Sequence, residues 1–200
     1  MTEKLQYKKM SVEELVILSQ QNDLKALEEL IRREQKNIFA TFSYLCQKQK
    51  RENTADLTQE ALLKVAKNIH QLKNPKFFKS WLNQIVTNIF YDELRKNRRI
   101  PDTISIDEED NENPALSIKF QLPDKKCKPP EKCMSSELEK IIKNAIQQLP
   151  EPFRLAIILR ELQGLSYEEI AGATNASVGT VKSRIARARG KLQDGLKAYI

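Results

Sequence analysis

Residues 149–192 read LPEPFRLAIILRELQGLSYEEIAGATNASVGTVKSRIARARGKL, and the punctuation of that stretch decides the architecture of this end of the chain. Pro150 and Pro152 mark a boundary, because proline is tolerated only in the first turn of a helix, where its missing N–H would have no partner anyway. A helix is expected from Phe153 to Leu162, closed by Gln163 and Gly164 as by a C-cap. Ser166 and Glu169 then form the capping box of a short helix from Tyr167 to Ala173. A turn over 174–179 leads into a last helix from Thr180 to Ala198. A short capped helix, a tight turn and a longer basic helix make the helix-turn-helix arrangement, whose second helix enters the DNA major groove.

The last helix supports that reading on its own wheel. Val181, Ile185, Ala188 and Leu192 recur at spacings of four, three and four, so they fall on one side and should pack inward. Opposite lie Ser183, Ala186, Arg187 and Gly190, with Lys182 and Arg189 on one flank and Arg184 and Lys191 on the other. Small and hydrogen-bonding residues suit base edges, and flanking cations suit phosphates. An isolated basic helix is more often a solvated surface than a DNA reader. The capped helix before it, the turn, and the absence of any acid between Thr180 and Leu192 reverse that balance. Gly172 and Gly190 each weaken their helices by roughly 1 kcal/mol relative to Ala.

The runs GLSYEEIA (164–171) and VGTVKSRIARAR (178–189) closely resemble region four of the sigma-70 family, in its extracytoplasmic-function subfamily. The resemblance implies recognition of a −35 promoter element. Lys182, Ser183, Ala186 and Arg187 match family positions that face DNA, Val178, Gly179 and Thr180 lie near its backbone, and Arg184 joins the set from the phosphate flank. Ala186 is smaller than the residue often found at its position, which bears on the promoter sequence read.

Upstream, helical periodicity runs from Ser11 to about Arg99, opened by a capping box of Ser11 with Glu14. Leu24, Leu27, Leu30, Ile31, Ile38, Phe42 and Leu45 trace a long amphipathic helix with room for a break near Glu34, followed by helices over 57–69 and 77–96. In the first of these two, Leu62, Val65, Ala66 and Ile69 are expected to face the core, and Asp56, Gln59, Glu60 and Leu63 form an outward strip. Leu63 either widens the core stripe or is the apolar centre of a partner surface with a polar rim. In the next helix Phe78, Trp81, Leu82, Ile85, Val86 and Ile89 keep helical spacing, so Trp81 is read as core rather than as a stacking platform. Lys76, Lys79, Arg95, Lys96, Arg98 and Arg99 bracket that helix with positive charge, as a groove for single-stranded nucleic acid requires.

DLTQEALLKVAKNI (56–69) resembles sigma region 2.2, which implies docking on the β′ clamp of RNA polymerase through Asp56, Gln59, Glu60 and Leu63. NPKFFKSWLNQIVTNIFYDELRKNRR (74–99) resembles regions 2.3 and 2.4, which implies capture of the unpaired −10 strand. Asn88 and Asp92 match positions associated with that element, the loop 74–79 matches one that receives a flipped base, and Lys76, Lys79 and Arg95 supply the cations.

Between the two helical runs the composition changes: acids cluster at 107–110 and prolines recur at 114, 123, 129 and 130. The expected fold is therefore all-α, with two small helical domains at 1–100 and 137–200 joined by a flexible, acidic linker at 101–136. The implied partners are core RNA polymerase, through its β′ clamp and β flap, promoter DNA and an anti-sigma factor.

A balance of 34 Lys and Arg against 27 Asp and Glu, net +7, agrees with a polyanionic partner. No apolar run reaches about 18 residues, and Met1 to Met10 lack the apolar stretch of a secretory signal, so a cytoplasmic location without membrane insertion is expected. Cys127 and Cys133 have five residues between them, which fits none of the paired zinc spacings, and neither a metal nor a cofactor is expected. Cys46 reads as packed and the other two as exposed in the linker. A helix-turn-helix activator or response regulator would share the C-terminal run but needs an upstream α/β receiver or ligand pocket, and no strand-helix alternation precedes Pro101. A small nuclease, or any other enzyme, is disfavoured because the chain has one histidine and no glycine-rich phosphate loop.

Overall fold

The computed structural model describes residues 2–46, 51–99 and 131–197, with side chains described for 6–46, 54–96 and 137–197. Among the described residues every regular element is helical: α1 (Thr2–Lys9), α2 (Val12–Gln20), α3 (Leu24–Leu45), α4 (Arg51–Asn68), α5 (Phe78–Arg99), α6 (Glu131–Gln148), α7 (Glu151–Glu161), α8 (Tyr167–Thr174) and α9 (Val178–Leu196). Two short 3₁₀ turns, Ile69–Gln71 and Pro75–Phe77, connect α4 to α5.

The N-terminal bundle is built around α3. Asp23 caps it by accepting from the N–H groups of Lys25 and Ala26 at 2.9 and 3.1 Å, and the Tyr7 hydroxyl donates to the same carboxylate at 2.9 Å. Ala26, Leu30, Ile38, Phe42 and Leu45 are buried along one stripe against α2 and α4. The helix passes Glu34 without a break. Leu24, expected at the head of the stripe, is the first residue of the helix and is 77% exposed.

Buried Glu29 clamps the N-terminal helices to α3. It accepts from Arg32 at 2.7 and 2.8 Å and from Arg33 at 2.8 Å, while Arg33 donates onward to the carbonyls of Met10 and Tyr7, both at 2.7 Å. The hydrogen bonds from Arg32, then the one from Arg33, hold its carboxyl down to about 2 from the ordinary 4.5. A carboxyl depressed in the folded state stabilises above its unfolded value and loses that contribution as pH falls through its folded one. The thermal midpoint is therefore expected to drop on acidification between about pH 4.5 and 2, and Glu29→Gln should flatten that part of the profile. A scanning-calorimetry series in which Glu29→Gln keeps the full acid slope would contradict this assignment.

The C-terminal unit follows its punctuation closely. Pro152 sits in the first turn of α7, Gly164 takes φ 65° at its end, and Ser166 with Glu169 closes a reciprocal capping box at α8. Ser177 caps α9, accepting from the Thr180 N–H at 3.1 Å, so α9 begins two residues before the expected Thr180. Val181, Ile185 and Ala188 are buried against α7 and α8, with Leu192 at the edge of the same core.

One difference concerns the segment between the units. Helix α6 starts at Glu131, directly after Pro129 and Pro130, so residues 131–136 of the expected linker are helical, Cys133 among them. Residues 101–130, with Cys127, lie outside the described residues.

Candidate polymerase and promoter interface

Three surfaces emerge from this frame. On α4, the buried face is Leu57, Ala61 and Val65, continued by Ile69 in the 3₁₀ turn that follows, with Leu62 and Ala66 half-buried beside it. The core face is thus rotated slightly from the expected set. That rotation leaves the outward strip intact: Asp56 and Gln59 are exposed, Glu60 is half-exposed, and Leu63 is 59% exposed. Leu63 therefore does not widen the core stripe. Glu60 forms an ion pair with Lys64 at 2.8 Å, a surface contact worth about 0–1 kcal/mol that a competing partner displaces easily.

The second surface lies at the start of α5. Gln20 donates to the carbonyls of Ile69 and Leu72 at 2.9 and 2.7 Å, fixing the chain that leads into it. Asn74 accepts from the Lys76 N–H at 3.0 Å and starts the 3₁₀ turn, which buries Phe78 and leaves Phe77 61% exposed between exposed Lys76 and Lys79. The sequence reading missed Phe77, since it fits the start of the helical pattern as well as Phe78 does. Its neighbouring lysines were the only local signal. Trp81 is half-buried beside Phe78, with ring centroids 6.0 Å apart, as a core-edge residue. Asn88 is exposed, and Asp92 pairs with Arg95 at 3.2 Å. The positions expected at −10 therefore include one internally neutralised pair. The side chains of Arg98 and Arg99 lie outside the described set.

The third surface is α9. Lys182, Ser183, Ala186 and Arg187 are exposed together, with Gly179 exposed and Val178, Thr180 and Arg184 half-buried. Ser183 donates to the Thr180 carbonyl at 2.9 Å, which leaves its oxygen free to accept. Lys182 lies 5.7 Å from the Tyr167 ring centre, and Arg189 pairs with Glu161 at 2.6 Å. Of the flanking cations Arg189 is thus already engaged, whereas Lys191 points to solvent at the far end of the helix. Among the described residues no helix is long and apolar enough to cross a membrane.

Comparison with known proteins bears on the chain as a whole. The family model for sigma-70 region 2 matches residues 30–100, and that for sigma-70 region 4 matches residues 139–192. The ECF RNA polymerase sigma-E factor of Haemophilus influenzae is 35% identical over 183 residues, covering 92% of this chain and 94% of that protein. Its namesake in Escherichia coli K12 is 37% identical over 146 residues, 72% of this chain and 74% of the relative. Among solved structures, the sigma factor RpoE from Bartonella quintana, crystallised with the anti-sigma factor NepR, superposes with a TM-score of 0.63 at 28% identity over 86% of this chain and 98% of that one. CnrH, solved with the cytosolic domain of CnrY, shares the fold at 21% identity and a TM-score of 0.61. With both regions matched in order and relatives aligned along most of its length, the chain belongs to the extracytoplasmic-function sigma factors of the sigma-70 family.

Proposed function

We propose that this chain is an alternative sigma factor that binds core RNA polymerase and directs promoter-specific initiation, contributing recognition and no chemistry of its own. In this reading residues 1–100 dock on the β′ clamp through Asp56, Gln59, Glu60 and Leu63 and hold the melted −10 strand with Lys76, Lys79, Asn88, Asp92 and Arg95. Residues 137–200 read the −35 duplex. The family and the partners named for its relatives support a cytoplasmic site of action and control by an anti-sigma factor.

The observation that carries the proposal is the α9 strip, where a serine, an alanine and an arginine stand outward between cations on a helix held by a capped neighbour. Arg187 occupies the centre of the strip, where base edges would lie, and Lys191 its flank. Arg187→Ala should cost about 1–3 kcal/mol on the preferred −35 duplex and relax preference at one base pair. Lys191→Ala should weaken all duplexes alike and lower the salt slope by about one. Titrating both variants against single-base changes at several salt concentrations separates the roles. Uniform weakening by Arg187→Ala with altered preference in Lys191→Ala would mean that α9 sits rotated in the groove.

A further inference from the structure

A tyrosine stands where the two helices of the helix-turn-helix meet. Tyr167 is the first residue of α8, directly after its N-cap Ser166, and the reciprocal capping box with Glu169 fixes the backbone from which its ring projects. Ile170 on α8 and Val181 on α9 are both fully buried, so the core beneath sets the spacing of the two helices. The ring is half-buried at the edge of that core, and two cations lie over it. One is the Arg160 guanidinium from α7, 4.8 Å from the ring centre, and the other is the Lys182 ammonium from α9, at 5.7 Å. Arg160 is itself anchored, donating to the Leu165 carbonyl at 2.7 Å in the turn between α7 and α8. Ring and guanidinium therefore make a fixed base against which the lysine rests.

The lysine is the mobile member. Lysine carries a compact charge on a flexible stem, and an unrestrained one at a DNA-binding surface meets phosphates, which hold no sequence information. Lys182 is exposed, and among the described residues it is the cation of α9 that lies over an aromatic ring, whereas Arg189 is paired with Glu161. The negative face of the ring attracts the ammonium, and 5.7 Å is close to the outer reach of that attraction, about 6 Å, so the charge is steered without being buried. An ammonium has three N–H donors, so one side turned to the ring leaves donors for acceptors on a base edge. Directed in advance, the side chain loses less rotamer freedom when it reaches the groove.

Resting on the sigma-factor reading, we propose that Tyr167 is a positioning residue for −35 recognition: its ring directs Lys182 at one base pair of the duplex and makes that lysine a base reader instead of a free phosphate contact.

Two substitutions separate the ring from the hydroxyl. Tyr167→Leu keeps an apolar side chain on the core and removes the π face, and Tyr167→Phe keeps the face and removes the hydroxyl. In the free full-length chain the Lys182 ε-methylene protons should be shifted upfield by the ring in the wild type and in Tyr167→Phe. They should return to ordinary lysine positions in Tyr167→Leu, with all three proteins melting alike. Each protein is then reconstituted with core polymerase and titrated against promoter DNAs carrying single-base changes in the −35 element. Lys182→Ala should cut discrimination at one base pair by about fivefold or more. Tyr167→Leu should cut it at that same base pair by about two- to fivefold, and should add nothing further in the Lys182→Ala background. Tyr167→Phe should retain it. Unshifted Lys182 resonances in the wild type overturn the positioning role. So does full discrimination or tighter binding in Tyr167→Leu, the sign expected if ring and DNA compete for the lysine. Equal weakening of all duplexes by both Tyr167 variants overturns it in favour of a phenol on a phosphate. Absence of any −35 preference in the wild-type holoenzyme overturns the sigma-factor reading itself, an outcome no Tyr167 variant mimics.

Discussion

Replacing Glu60 with Lys and Leu63 with Ala together should abolish binding to core RNA polymerase, with a loss on the order of a hundredfold or more. The size follows from where the two side chains stand. Leu63 is an exposed leucine on a helix whose core face is already filled by Leu57, Ala61 and Val65, and it is flanked on its N-terminal side by Asp56, Gln59 and Glu60. An apolar centre with a polar rim is where binding energy concentrates, and removing such an anchor typically costs 2 kcal/mol or more. Reversing the charge at Glu60 adds repulsion from any basic partner surface and ends its pairing with Lys64. Neither change touches the bundle's interior, so helicity and melting should stay near those of the wild type. Fluorescence anisotropy against core enzyme measures the loss, and unchanged binding by a folded double variant would move the polymerase contact elsewhere.

The second large effect is expected at promoter melting. Changing Asn88, or the Lys76 and Lys79 pair, to Ala should impair open-complex formation far more than initial promoter binding, because unpaired bases appear only after the duplex opens. Phe77 belongs in the same experiment. If the 74–79 loop holds a base, an aromatic ring 61% exposed between two lysines, on a turn capped by Asn74, is the side chain to stack on it. Base stacking is worth about 1–3 kcal/mol per base, so Phe77→Ala should reduce open complexes by roughly tenfold or more. Permanganate reactivity of promoter thymines reads this directly. Normal reactivity in all three variants would remove the 74–99 segment from −10 recognition.

The C-terminal unit was the most legible part of the sequence because its signals are local. A capping box spans four residues, a glycine C-cap one, and the apolar stripe of α9 repeats within two turns, so each element is specified by its own neighbours. The same holds for the outward strip of α4. What the sequence hid depends on longer range. The core face of α4 is rotated toward Leu57 and Ala61 because α3 and α5 flank it unequally, and no periodicity within α4 records its neighbours. Helix α6 begins at Glu131 because two prolines at 129 and 130 precede a helix start as readily as they fill a linker. Arg154 and Gln163 look like ordinary polar residues of a helix and its cap, and their partners, Leu45 and Thr41, lie more than a hundred positions away. Burial of an arginine at a junction has no signature in its own segment.

The central claim, that this chain confers promoter specificity on core RNA polymerase, is tested most directly by multi-template run-off transcription with purified core enzyme, mapping the 5′ ends of all transcripts. Adding the chain should produce start sites that share a −35 and a −10 sequence at fixed spacing and that vanish with the Glu60→Lys, Leu63→Ala variant. Transcripts with the same scattered ends as core enzyme alone would contradict it.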